Sequence, residues 1–185
     1  MPSYATAIGS SSDNPAALAE LAGIILNGGV RYPNLRVSEM HFSAGTPFET
    51  RLDQRAGKGE QVLSPAVAAF VRQETLSVVE KGTARRAYNS FALPDGTRIP
   101  VGGKTGTGDN RFETYARDGR PIASRAVNRT ATFVFTIGDR FFGTITAYVP
   151  GEEADAYEFT SSLPVQIFKT LAPKIAPVVA DRASY

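Results

Sequence analysis

Cysteine is absent from this 185-residue chain, and histidine occurs once, at His41. The first absence excludes disulfide frameworks, thiolate zinc sites and cysteine nucleophiles together. The second forces any Ser-His-Asp triad through one residue and excludes a multi-histidine metal site. No run approaches the roughly 20 apolar residues of a membrane helix. The stretch from Met1 to Ser12 lacks the basic start and apolar core of a signal peptide, so neither an export signal nor an anchor is expected in the chain as written. Charge of one sign is also missing: 20 Lys and Arg face 18 Asp and Glu, for a net +2. That falls short of the concentrated positive field of a nucleic-acid surface, and no nucleic-acid partner is expected. What remains is ordinary globular composition, 42% hydrophobic and 21% charged, at a length that suits one domain.

Capping and periodicity organise the chain. A helix is predicted from Pro15 to Asn27, capped by Asp13 or Asn14 and stopped by Gly28-Gly29, with Leu18, Leu21, Ala22 and Ile25 on one stripe. Leu35 to Ala44 reads as a strand and Gly45 to Glu60 as a loop. A second helix, Pro65 to Lys81, is capped by Ser64, ended by Gly82, and aligns Val67, Phe70, Val71 and Val78. Pro94-Asp95-Gly96 introduces a strand over Ile99 to Thr107, and Gly108 to Arg129 reads as an arginine-rich excursion without periodicity. Strict alternation then marks a hairpin, Thr130 to Ile137 and Phe141 to Val149, turned at Gly138-Asp139-Arg140. A closing helix from Ser161 to Ala172 turns Val165, Phe168 and Leu171 inward, and a frayed tail is expected over 173–185. The expected fold class is α+β, an antiparallel sheet of three to four strands flanked by helices.

Chemistry concentrates in Val101-Gly102-Gly103-Lys104-Thr105-Gly106-Thr107-Gly108-Asp109. A phosphate loop fails, because the position that must be glycine is Arg98; a dinucleotide fingerprint fails at Arg111. On a strand, Thr105 and Thr107 point to one face, and Lys104 and Gly106 to the other. Two hydroxyls beside a cation make a receptor for a carboxylate, and Gly106 leaves the backbone open to close approach. At a sheet edge the Thr107 N–H would be free to stabilise an oxyanion. A solvent-facing edge strand with a protective lysine fits the same spacing.

Lys104-Thr105-Gly106-Thr107 resembles the Lys-Thr-Gly-Thr motif of penicillin-binding proteins and serine β-lactamases. Ala7-Ile8-Gly9 leading to Asn27-Gly28-Gly29, the Leu63-Ser64-Pro65 helix start, and Val79 to Arg85 resemble further segments of class A penicillin-binding transpeptidase domains. In order and spacing the resemblance covers the C-terminal part of that domain, from about Ala5 to Ala172. It implies an incomplete transpeptidase fold over 1–172. Lys104 would then supply positive potential and link to the second-motif serine. Thr105, Gly106 and Thr107 would bind substrate, with Thr107 N–H completing the oxyanion hole. The implied partners are a peptidoglycan stem peptide ending in D-Ala-D-Ala, β-lactams that imitate it, and a chain supplying the rest of the sheet. The implied place of the full family protein is the periplasmic face of the cytoplasmic membrane. No cofactor or metal is implied.

The family's nucleophile, Ser-x-x-Lys, has no counterpart: no serine here has lysine three residues on. Ser12-Asp13-Asn14 fits both the second motif, Ser-x-Asn, and a helix cap, and its flanks favour the cap. Two rival readings remain, a class A β-lactamase-like fragment and a non-catalytic, partner-binding or broken-gene module. His41 reads as a packed or half-exposed side chain, Arg85-Arg86 as cations at a helix end, and Glu152, Glu153 and Asp155 as a polar loop without calcium spacing. Tyr88, Tyr115 and Tyr148 read as packing residues. Without the serine no acyl-enzyme can form. Intact-mass analysis of the chain incubated with benzylpenicillin is therefore expected to show no adduct; a stoichiometric one would contradict the missing nucleophile.

Overall fold

The computed structural model describes residues 14–55, 57–93 and 95–183. Three helices lie in chain order: α1 (Pro15–Leu26), α2 (Pro65–Lys81) and α3 (Ser162–Ala183). Their starts follow the capping chemistry. The Asn14 side chain accepts from Ala16 N–H at 2.8 Å, and Ser64 Oγ accepts from Val67 N–H at 3.3 Å, each ahead of a first-turn proline. Gly28 and Gly29, both at positive φ, release the chain from α1.

The expected α+β architecture is present. Its main sheet joins β5 (Val101–Tyr115), β6 (Pro121–Ile137) and β7 (Phe141–Pro150), antiparallel and in that order. Register runs Val101 opposite Ile137, Thr105 opposite Phe133, and Phe133 opposite Ile145. Two small ladders lie outside it. β1 (Val30–Arg31) pairs with β4 (Glu60–Gln61), and β2 (Glu39–Phe42) pairs with β3 (Thr50–Asp53).

One face of the sheet closes the core. Phe133 and Ile137 are buried with Val101, and Phe135, Phe141 and Ile145 pack around them against Val165, Phe168, Ala172 and Val179 of α3. Phe168 is the hub: its ring lies 4.6 Å from Phe135, 5.3 Å from Phe133 and 5.5 Å from Phe91, in tilted or edge-on contacts favoured by the ring quadrupole. The opposite face carries a threonine stripe that includes Thr132 and Thr146, whose hydroxyls bond at 3.1 Å.

Four expectations are corrected. The Gly108–Arg129 excursion is the continuation of β5 and β6 into a long hairpin, turned at Ala116–Arg120 with Gly119 at positive φ. Most of its residues are exposed and only Ala126 is buried, so burial does not impose the alternation that marks a strand. The expected tail is helix: α3 runs through Pro173 and Pro177 to Ala183. Ala172, Ile175, Ala176 and Val179 fall at helical spacing on the core, and their burial outweighs the proline penalty. The buried faces of the first two helices agree with the expected ones at Ala22 and at Val78, which packs on the core, and differ elsewhere. Ala22, Gly23 and Leu26 are buried in α1 while Leu21 is exposed; Ala68 and Val79 are buried in α2 while Val67 and Phe70 face out; likewise Leu171 of α3 is exposed. Finally, the 35–61 region holds three short strands where one strand and a loop are expected.

His41 belongs to the β2–β3 hairpin, where its Nε2 lies 2.8 Å from Glu49 Oε1, while Glu49 Oε2 accepts from Gly45 N–H at 2.9 Å. The Gly45 N–H, then His41, hold the Glu49 carboxyl below its ordinary titration range. A depressed carboxylate favours the closed hairpin above its unfolded titration range and loses that effect as pH falls through the lowered folded value. Amide shifts of residues 41–51 are therefore expected to move in acid in the native chain and to lose that transition in Glu49→Gln. Identical acid profiles in the two chains would contradict the clasp.

Candidate functional site

The Lys104–Thr107 run emerges from a packed root. Gly102 and Gly103 are buried at the start of β5, and neither has room for a side chain. A Cβ on Gly102 would lie 2.8 Å from both Thr75 Oγ1 of α2 and Thr136 Oγ1 of β6. A Cβ on Gly103 would lie 2.5 Å from the Phe133 ring and 2.6 Å from the Val134 carbonyl oxygen. The two glycines thus let a helix and a neighbouring strand close on the root of β5 and fix it in place. Past this point the strand becomes accessible: Lys104, Gly106 and Thr107 are exposed, and an added Cβ on Gly106 would meet nothing within 4 Å.

Geometry brings the expected residues together along one margin of the sheet. β5 is an edge strand among the described residues, with β6 on one side only. Lys104 starts on the opposite face from the threonines, yet its Nζ folds over to donate to the Thr105 carbonyl at 2.6 Å. Thr105 is buried to 8% exposure and its Oγ1 lies 2.6 Å from Thr83 Oγ1. Thr107 Oγ1 accepts from the main-chain N–H of Ser161 at 2.9 Å. An ammonium and two hydroxyls therefore sit within three residues on an edge, with no carboxylate paired to that ammonium among the described ion pairs. Such a set attracts and orients an anion.

Two contributors were not found in the sequence as site residues. Thr83 directly follows the Gly82 stop of α2, and only the folded chain brings it to Thr105, 22 positions away. The segment ahead of α3 is pinned beside Thr107: Arg129 Nε donates to the Phe159 carbonyl at 2.9 Å and its guanidinium stacks over the Phe159 ring at 5.6 Å. Thr83 lies in the Val79–Arg85 segment already likened to the family, but its pairing with Thr105, like that of Ser161 with Thr107, joins residues far apart in the chain and has no local signal.

Other candidates fall elsewhere. Ser12 and Asp13 lie outside the described residues, while Asn14 caps α1. Asp155 is held by Arg111 Nη1 at 2.6 Å, a bond that raises the titration of that guanidinium and ties the β5–β6 hairpin to the 3-10 turn over Glu152–Ala156. Arg85 and Arg86 are exposed on a short 3-10 turn, and Tyr115 bonds the carboxylate of Glu113. A cleft of about 260 Å³ between α1, the Val30–Leu35 segment and Phe142 lies apart from the β5 edge. Its carboxylate, Glu20, is already engaged by Arg31 at 2.5 Å.

No protein-family model matches the chain, and no curated protein matches its sequence. Solved structures match its fold. Penicillin-binding protein 3 of Mycobacterium tuberculosis, complexed with aztreonam, aligns with a TM-score of 0.57 at 20% identity, over 91% of this chain and 36% of that one. Penicillin-binding protein A of M. tuberculosis, as its imipenem acyl-enzyme, aligns at 0.55 and 18% identity, over 91% and 33%. The D,D-transpeptidase domain of a peptidoglycan glycosyltransferase from Eggerthella lenta aligns at 0.51 and 21% identity, over 84% and 31%. The fold is that of part of a penicillin-binding transpeptidase domain, and the chain spans about a third of the length of these structures.

The two kinds of glycine on β5 separate by experiment. Gly103→Ala is expected to destabilise the chain by about 1–3 kcal/mol through overpacking, read as a lowered Tm. Gly106→Ala is expected to leave stability within about 0.5 kcal/mol of native, with Tm close to that of the native chain. Equal melting of the two variants would contradict the packed-root account.

Proposed function

We propose that this chain, which has the fold of part of a penicillin-binding transpeptidase domain, supplies the carboxylate-binding edge of a serine D,D-transpeptidase site. The observation that carries the reading is the juxtaposition on the β5 edge of the Lys104 ammonium with the Thr105 and Thr107 hydroxyls. The ligand class is an acyl-D-Ala-D-Ala stem peptide, or a β-lactam that imitates it.

In this reading the terminal carboxylate lies against Thr105 and Thr107, within the field of Lys104. A unit pair at about 4 Å is worth roughly 1–4 kcal/mol between bulk water and a protein surface. That anchoring sets the scissile carbonyl beside the strand. The Thr105 carbonyl accepts from Lys104, which supports an outward direction for it, and strand geometry gives Thr107 the same backbone direction two residues on. Thr107 N–H would then meet the oxygen that becomes negative during attack, a contribution of about 10²–10³ in rate. Lys104 would also hold the proton-relaying serine of the second motif. The attacking serine, with the lysine that activates it, comes from a segment with a Ser-x-x-Lys motif, which these 185 residues do not contain. Attack forms the acyl-serine and releases D-alanine; a stem-peptide amine then takes the acyl group and frees the serine.

The β7 edge favours a partner for this chain. Among the described residues β7 pairs only with β6, so its outer margin can accept a strand from the segment that brings the nucleophile. The complete assembly would work at the periplasmic face of the cytoplasmic membrane. Among the described residues no helix is long and apolar enough to cross a membrane.

The receptor is tested by amide NMR of the labelled chain titrated with N-acetyl-D-Ala-D-Ala or its methyl ester. The acid is expected to shift the amides of residues 104–108, and Lys104→Ala to weaken it by about tenfold, in line with a charge-assisted contact. The ester is expected to leave those amides unmoved. Equal effects of acid and ester, or no effect of either, would contradict the reading.

A further inference from the structure

We infer that Thr83, outside the Lys-Thr-Gly-Thr run, sets the hydrogen-bond polarity of the receptor by donating its hydroxyl proton to Thr105 Oγ1. The inference rests on the carboxylate-receptor reading and adds a residue to it. A threonine hydroxyl owns one proton and two acceptor lone pairs. In the 2.6 Å contact between Thr83 Oγ1 and Thr105 Oγ1, one proton lies between the oxygens and the other hydroxyl keeps its own to give elsewhere. A carboxylate accepts and never donates, so its arrival selects the arrangement in which Thr83 donates inward and Thr105 donates to the ligand.

Thr107 is governed in the same way by a group that has no choice. The Ser161 main-chain N–H can only donate, so it occupies a lone pair of Thr107 Oγ1 and leaves the Thr107 proton directed away from it. The two threonines are thus backed by two donors, one fixed and one able to turn. Burial sharpens the effect at Thr105. Thr105 is only 8% exposed as a residue, and hydrogen bonds in a drier environment are stronger. Thr83 itself is exposed, so its replacement leaves no core cavity. Thr83 is therefore a positioning residue, acting on the ligand through Thr105.

The consequence is selectivity for a hydrogen-bond acceptor at the ligand's terminus, with the strongest response to a charged one. With Thr83 donating, the receptor offers protons to an acceptor. Without it, the Thr105 hydroxyl is free to turn, and the cost of reorienting it falls on each binding event.

The test uses the full chain, N-acetyl-D-Ala-D-Ala and its methyl ester, with affinities read from the amide shifts of residues 104–108. Thr83→Val removes the hydroxyl at constant shape, and Thr83→Ser keeps it. The valine variant is expected to bind the acid about three- to tenfold more weakly, the range of one hydrogen bond, with its response to the ester unchanged. The serine variant is expected to stay within about twofold of native and to melt with the native chain, while the valine variant melts lower because Thr105 Oγ1 loses its partner. Thr105→Val separates the two levels. If it weakens the acid while Thr83→Val does not, the polarity inference is overturned and the receptor stands. If the native chain fails to bind the acid, or Thr105→Val binds it as tightly as native, the receptor reading falls and the inference with it. Equal losses for Thr83→Val and Thr83→Ser would also overturn the inference, because shape and not the hydroxyl would then matter.

Discussion

A single strand must be immovable at one end and available at the other, and the architecture is arranged around that demand. At Gly102 and Gly103 the β5 backbone is gripped by α2, β6 and the Phe133 ring at distances that exclude any side chain. Directly beyond them the same strand emerges along the sheet margin, with Lys104, Gly106 and Thr107 accessible. The receptor proposed for this edge would need tolerances of about half an ångström, which an edge strand alone does not hold. The grip at the root supplies the rigidity, and the missing neighbour on the outer side supplies the access.

The core serves the same end from below. Phe168 of α3 gathers Phe91, Phe133 and Phe135, and Phe133 stands opposite Thr105 in the ladder. The face that carries the two threonines is thus the face packed against the terminal helix. That placement explains why the segment leading into α3 can reach Thr107, and why Thr83, just after α2, can reach Thr105. Helix ends and helix starts, where the chain changes direction with polar groups to spare, meet the strand at Thr105 and Thr107.

Local chemistry made part of this legible in the sequence. Asn14-Pro15 and Ser64-Pro65 marked helix starts because capping depends on adjacent residues, and the 130–149 hairpin was visible because burial of one face imposes alternation. Lys104 to Thr107 could be singled out because strand geometry alone places two hydroxyls on one side. Long-range packing hid the rest. Which stripe of α2 is buried depends on Thr75 and Leu76 meeting Gly102, not on the apolar count that favoured Val67 and Phe70. The outer β5–β6 hairpin is mostly solvated, with Ala126 its one buried side chain, and so has no alternation to read. The Pro173–Ala183 turns are helical because Val179 finds a core that local propensity does not encode.

A crystal of the chain soaked with N-acetyl-D-Ala-D-Ala tests the central claim most directly. The account predicts the ligand carboxylate on the β5 edge, within about 3 Å of both Thr105 Oγ1 and Thr107 Oγ1 and facing the Lys104 ammonium. A dipeptide seated elsewhere, such as the cleft beside Glu20 and Arg31, with the edge bare, would contradict it.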